Sequence, residues 1–229
     1  MTKSARTKDV AALSGDTSKN AQFYKRDFWM AEGPKFAEPH FRMRKAAGLV
    51  TRIAAGRECD LLDVGCGPAA LMSLLPGSMH YYGIDIAIQQ PASNLVESDF
   101  VDNRIEFGGK QFDIVIAQGV FEYLGDTQAR KLAEIRALLR AGGTFVVTYT
   151  NFGHRNRHIY SAYSNVKPLA EFRESLTKYF HVDRSFPASH NWQHGQPNGK
   201  VMKTIQMPIN VNVPFVSPLL AVEYFFVCS

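Results

Sequence analysis

Five short apolar runs, rich in β-branched and aromatic residues, recur through the middle of the chain: CDLLDVG (59–65), HYYGIDI (80–86), NLVES (94–98), FDIVIAQ (112–118) and GGTFVVTYT (142–150). Each is apolar enough to be buried on both faces, as strands of a covered sheet are. Helical patterns lie between them. Pro68, just after the first run, suits a first helical position and predicts a short helix there. Between the fourth and fifth runs, DTQARKLAEIRALLRAGG carries Leu132, Ile135, Leu138 and Leu139 at helical spacing, with Gly142 as the stop signal. Strands alternating with helices predict an α/β fold built on a doubly wound, mostly parallel sheet. Only AIQQPAS, about seven residues, joins the second run to the third. A helical crossover needs a dozen or so, and this one is expected to lack a proper helix. Upstream, AQFYKRDFWM and HFRMRKAAGLVTRIAAG, parted by Gly33, Pro34 and Pro39, predict a helical cap within residues 20–57.

A chain of 229 residues with 45% hydrophobic composition and 16 Phe can bury roughly 70% of its unfolded surface in one core, so one domain suffices. The segment 1–20 is rich in Ser, Thr and Lys and reads as a mobile tail, without the apolar stretch of a signal peptide. The C-terminal VPFVSPLLAVEYFFVCS is too short to span a bilayer and contains Pro218 and Glu223, which favours a buried strand. Cys59, Cys66 and Cys228 form no CxxC pair, and an odd count points to a reducing compartment and a cytoplasmic location. The net charge of +5 permits nucleic-acid binding without requiring it, because the surplus is spread along the chain.

The turn after the first run carries the chemistry. Asp63, Gly65, Gly67 and Ala69 let backbone approach a ligand closely, and Asp85, twenty residues after Gly65 at the end of the second run, can accept hydrogen bonds from both hydroxyls of a ribose. Gly65, Gly67 and Ala70 also match the dinucleotide pattern GxGxxG/A. Asp63 separates the two cases, since a carboxylate there repels a pyrophosphate and attracts a cationic amino group. Pro68 removes an N–H that a dinucleotide cradle would use.

These residues resemble class I S-adenosylmethionine-dependent methyltransferases. LLDVGCGPA is similar to the glycine-rich first motif, with Ala69 in place of a third glycine; GIDI supplies the acidic ribose ligand as Asp85; ESDF supplies Asp99 for the adenine amino group; and FDIVIAQGVFEYL is similar to the fourth-strand motif. The resemblance covers about residues 60–150. Where many relatives read Glu-His-Leu, this chain has Glu122, Tyr123 and Leu124, so a histidine role at that point is lost. The resemblance implies S-adenosylmethionine as cofactor, with Tyr24, Asp63, Gly65, Cys66, Gly67, Asp85, Ile86, Asp99, Phe100, Gln118 and Gly119 around it. It also implies a seven-stranded sheet ending in an antiparallel hairpin, for which FHVDRSF and LLAVEYFFVCS are candidates. Within one domain over 21–229, the cap is then 21–57, the cofactor core 58–150, and the acceptor side with the closing strands 151–229.

A sulfonium is an activated methyl donor, so the protein must chiefly align the acceptor and exclude water. A hydroxyl acceptor also needs a base, and histidine is the natural one. His154 follows the fifth strand at the carboxyl edge, where such sheets bind ligands, with Tyr160 and His190 as reserves. His154/His158 and His190/His194 are spaced i, i+4, but no HExxH or carboxylate supports a metal site. The expected activity is methyl transfer to an O or N atom of a small molecule, as in natural-product biosynthesis, with Tyr24, Phe28 and Trp29 of the cap closing over an apolar acceptor. Two alternatives stand beside it. An RNA methyltransferase would use Arg42, Lys45 and Arg52 near one face of the helix from His40, though AQGV after the fourth strand lacks the Asn/Asp-Pro-Pro-Tyr turn that stacks a flipped base. A non-catalytic scaffold, binding the cofactor or nothing and pairing with a partner chain at the thinly covered sheet edge near residues 87–100, is opposed by the intact Gly65, Gly67 and Asp85, which a dead cradle would not need. No membrane partner is expected, and the oligomeric state is open.

Overall fold

Cys59–Val64 (β1) is buried at every residue because it lies between two parallel neighbours, Met79–Asp85 (β2) and Phe112–Ala117 (β4). The computed structural model describes residues 26–151, 167–194, 203–207 and 211–229. Alternate side chains of β1 enter two cores: Leu62 and Val64 on one face of the sheet, Cys59 and Leu61 on the other. Both faces are apolar because both are covered. Leu132 and Ile135 of Gln128–Leu138 (α3) and Phe172 and Leu176 of Leu169–Thr177 (α4) fill the first core. Ala46, Leu49, Val50 and Ala54 of Phe41–Ala54 (α2) fill the second. Phe172 stacks on Tyr149 with ring centroids 3.9 Å apart.

The sheet continues through Leu95–Glu97 (β3), Leu139–Thr150 (β5), Val182–His194 (β6), Lys203–Met207 (β7) and Ala221–Cys228 (β8), in the order β3-β2-β1-β4-β5-β8-β6-β7. The first five strands are parallel; β8 runs antiparallel between β5 and β6. The expected arrangement of seven strands with an antiparallel end is present, and β7 extends it by one strand at the edge of β6. The β2–β3 link, as expected, contains no helix. Asn94 Nδ2 donates to Tyr81 O at 2.9 Å, and Glu97 Oε2 accepts from Ile88 N at 3.1 Å, which holds the link without one.

Two elements differ from the sequence expectation. The helix anticipated from Pro68 is only a 3₁₀ turn, Ala70–Leu74, entered through a left-handed Ala69 and left through an extended Leu75. Pro76 explains the exit, since the residue before a proline is disfavoured in the helical region. The helix leading to β5 ends at Leu138, four residues before Gly142, which instead sits with φ 74° in the irregular start of β5. Arg140 pulls this stretch into the sheet by pairing with Asp60 and Asp113. The cap comprises Arg26–Glu32 (α1), a 3₁₀ turn over Gly33–Phe36, and α2, whose N-cap His40 accepts from Met43 N.

Candidate active site

The strand order reverses direction at β1, between β2 and β4, and beyond the carboxyl ends of these strands lies a cavity of about 340 Å3. Open α/β sheets bind ligands at this switch point. The turn after β1 forms one wall. Gly65 has φ 75°, and a Cβ there would come 2.3 Å from Val120 Cγ2, so both conformation and space demand glycine. Gly67, with φ 53°, is different: a Cβ there would meet nothing within 4 Å. The space in front of it belongs to the cavity.

The donors of this turn are already engaged. Gly65 N and Cys66 N both donate to Ile84 O, Gly67 N donates to Asp85 Oδ2 at 2.8 Å, and Ala69 N donates to Cys66 O. Pro68 has no N–H. No row of free amides therefore faces the cavity from residues 65–69, and a pyrophosphate would find carboxylates where it needs donors. The dinucleotide alternative fails on this geometry. Asp63 is 4% exposed, receives the Tyr81 hydroxyl at 2.9 Å, and is pushed up to about 7 by burial, with the Asp85 charge adding to the effect and the Tyr81 bond opposing it. Burial also raises the Asp85 carboxyl. Its Oδ1 accepts from Ala87 N at 3.0 Å, and the backbone donors of Gly67, Ala87 and Ile86 oppose that rise.

A second group gathers where β4 and β5 end and β8 begins, under α2. Arg42 Nη1 donates to Glu223 Oε1 at 2.8 Å. Burial alone would lower the guanidinium, but Glu223 and Glu122 outweigh it and hold the charge more firmly. Glu122 is 3% exposed; its Oε1 accepts from Thr150 N at 2.7 Å and Thr150 Oγ1 at 2.9 Å. Burial, reinforced by Glu223, pushes its carboxyl up to about 7. Burial and then Arg42 lower the neighbouring His40 imidazole.

Of the residues anticipated from sequence, Asp63, Gly65, Cys66, Gly67, Asp85, Ile86, Phe100, Gln118 and Gly119 all line this one cavity. Asp99 does not: its Oδ1 accepts from Val101 N at 3.0 Å and shapes the turn after β3. His190 is not brought there either, being buried with Nε2 2.8 Å from Ser217 Oγ. Tyr24, His154 and Tyr160 lie outside the described residues. In the cap, Trp29 lines the cavity while Phe28 stays 40% exposed, and Phe36 and His40 join it unanticipated. Glu223 signalled itself only as a lone acid in an apolar run, and Arg42 only as one of several basic residues on a helix. Among the described residues no group of three or more His, Cys, Asp or Glu side chains is disposed to hold a metal ion.

A family model described as a methyltransferase domain matches residues 62–147. That segment is similar to a methyltransferase domain over its whole length. A comparison with curated proteins finds no match. Solved structures similar to this chain include a TehB-like SAM-dependent methyltransferase from Corynebacterium glutamicum, with 14% identity, 93% of this chain and 99% of that one covered, and a TM-score of 0.55. Another is the 1,6-didemethyltoxoflavin-N1-methyltransferase of Burkholderia thailandensis, at 15% identity, 93% and 85% coverage and a TM-score of 0.54. A third is the N-methyltransferase NodS of Bradyrhizobium japonicum, at 14% identity, 82% and 95% coverage and a TM-score of 0.51. At such identities the likeness is one of fold. It extends past residues 62–147 to most of the chain.

Proposed function

We propose that this chain transfers a methyl group from S-adenosylmethionine to an oxygen or nitrogen atom of a small-molecule acceptor. One observation carries the reading: the acidic cradle at Asp63, Gly67 and Asp85 and the polar group Arg42, Glu122 and Glu223 line the same cavity. A donor and an acceptor can meet there away from water. The residues fit the donor: Asp63 would receive its α-amino group, Asp85 its ribose hydroxyls, and Ile86 and Phe100 its adenine, while Gly67 leaves room for its backbone-facing side. When bound, S-adenosylmethionine supplies a methyl group already activated on sulfur. The protein's part is to orient the acceptor, exclude water under Trp29 and Phe36, and manage one proton.

The structures of the toxoflavin enzyme, which holds its acceptor and S-adenosylhomocysteine, and of NodS with S-adenosylhomocysteine support both the cofactor and the acceptor class. The RNA alternative loses ground in the cap, because Arg42 is committed to Glu223 and Lys45 Nζ donates to Ala188 O. A cytoplasmic location agrees with Cys59, Cys66 and Cys228 being buried free thiols, and among the described residues no helix is long and apolar enough to cross a membrane. The test is calorimetric titration with S-adenosylmethionine and S-adenosylhomocysteine, followed by transfer from methyl-labelled cofactor to pools of small amines, phenols and RNA. Label in RNA alone, or absence of cofactor binding, would sink this reading.

A further inference from the structure

The polar end of the cavity holds two buried acceptor atoms without donors. Glu122 Oε1 is fully used by Thr150, yet Oε2 of the same carboxyl has no partner among the described residues. Gln118 Oε1, on the same turn after β4, is likewise buried without a partner, and both residues line the cavity. A buried acceptor left unmade is costly, and where two such atoms line a cavity they call for a partner that enters it. The titratable and charged groups facing Glu122 come from three elements, Glu223 of β8, Arg42 of α2 and Tyr149 of β5, with Tyr123 adjacent on the same turn. Arg42 is bound to Glu223, and among the described residues Glu122 makes no ion pair.

We propose that Glu122 is the base of the transfer, its Oε2 accepting the proton of the acceptor's nucleophilic N–H or O–H, while Gln118 Oε1 accepts a second hydrogen bond from the same acceptor. This rests on the methyl-transfer reading above. In the step, a lone pair of the nucleophile forms the bond to the methyl carbon, and the electrons of the broken carbon–sulfur bond remain on sulfur. The proton passes to Glu122 Oε2 and from there to solvent. A carboxyl held at about 7 by burial and Glu223 is ionised in a large fraction of molecules at neutral pH and still returns its proton readily. The assignment sets the substrate class. Primary and secondary amines in the neutral form, phenols and enols bring the required hydrogen; tertiary amines, thioethers and carboxylates bring none and leave both acceptor atoms unmet.

The test uses the full chain with methyl-labelled S-adenosylmethionine and a library in two halves, one of secondary amines and phenols, the other of tertiary amines, thioethers and carboxylates. Wild type should label the first half. Glu122→Gln keeps an oxygen for Thr150 but cannot take the proton, so at saturating cofactor kcat should fall about a hundredfold or more and its rise with pH through about 7 should vanish. Cofactor affinity by calorimetry should change by less than about twofold, and Glu122→Asp should recover part of the rate. Carbon-13 spectra of labelled glutamate carboxyls should contain one group titrating near 7 that is missing from Glu122→Gln. Labelling of the proton-free half, or a Gln variant with near-normal kcat and an unchanged pH profile, overturns the base assignment and leaves methyl transfer intact. A wild-type protein that binds cofactor but labels neither half overturns both.

Discussion

Cofactor affinity should depend on pH through Asp63. In the empty site its carboxyl is held at about 7, mainly by burial, so about half the molecules carry a charged Asp63 at pH 7, about one in eleven at pH 6 and about ten in eleven at pH 8. A cationic α-amino group binds the ionised form, and the apparent dissociation constant scales inversely with that competent fraction. Affinity should therefore weaken roughly tenfold between pH 8 and pH 6, or about 1.4 kcal/mol. The sign is fixed: acid removes the charge that the ligand needs, so binding is lost as pH falls. Titration calorimetry of S-adenosylhomocysteine at half-unit steps measures the slope directly. Asp63→Asn should bind weakly at pH 8 and lose most of the slope, any remainder reporting Asp85, whose carboxyl is also raised by burial. Tyr81→Phe should move the inflection upward, because the Tyr81 hydroxyl at 2.9 Å favours the ionised form. An affinity flat from pH 8 to pH 6 in the wild type would refute the placement of the amino group on Asp63.

Glycines 65 and 67 should fail differently when changed to alanine. Gly65→Ala drives a methyl against Val120 and should lower the melting temperature, whereas Gly67→Ala adds only about 1 kcal/mol of backbone strain and should cost mostly cofactor affinity, by calorimetry. Glu122→Gln should stabilise the fold in alkali. The wild-type carboxyl rises on folding from 4.5 to about 7, so its folded state is favoured below about 4.5 and loses about 3 kcal/mol as pH climbs past 7. Melting curves of the two proteins should coincide most closely at about pH 4 and separate by several degrees at pH 8. Cofactor should also slow hydrogen exchange over 26–54, since Gln89 at the cavity wall ties the cap through Trp29 O at 3.0 Å; equal protection with and without it would speak against a closing cap.

The parallel strands were legible because burial on both faces leaves a continuous apolar run that turns and surface helices lack. The cradle was legible because φ angles of 75° and 53° at Gly65 and Gly67 can be met cheaply only by glycine, which marks the position in the sequence itself. Elements decided by distant partners were hidden. Arg140 shortens α3 by reaching Asp60, eighty residues away, and nothing in the helical pattern up to Gly142 announces that pairing. The 3₁₀ turn after β1 shows a local conflict, in which Pro68 invites a helix and Pro76 leaves no room for one. The polar group at the far end was least legible, because Arg42 and Glu223 are 181 residues apart and meet only once β8 has been inserted beside β5.

Two carboxyls held at about 7 thus share one cavity, and their duties are opposite. Asp63 must stay ionised while the cofactor is bound, so its titration governs binding and disappears from the rate once cofactor is saturating. Glu122 must be ionised when turnover begins and protonated when it ends, so its titration persists at saturation. Rate profiles separate them without mutation. At low cofactor, kcat/KM should fall in acid with the combined steepness of two groups, a factor approaching one hundred per pH unit well below 7. At saturating cofactor, kcat should fall with only one, a factor of about ten per unit. Equal single-group steepness in the two profiles would remove Asp63 from cofactor binding, whereas a flat kcat beside a single-group kcat/KM would remove Glu122 from the proton transfer; Asp63→Asn should reduce the first profile to one group and leave the second unchanged.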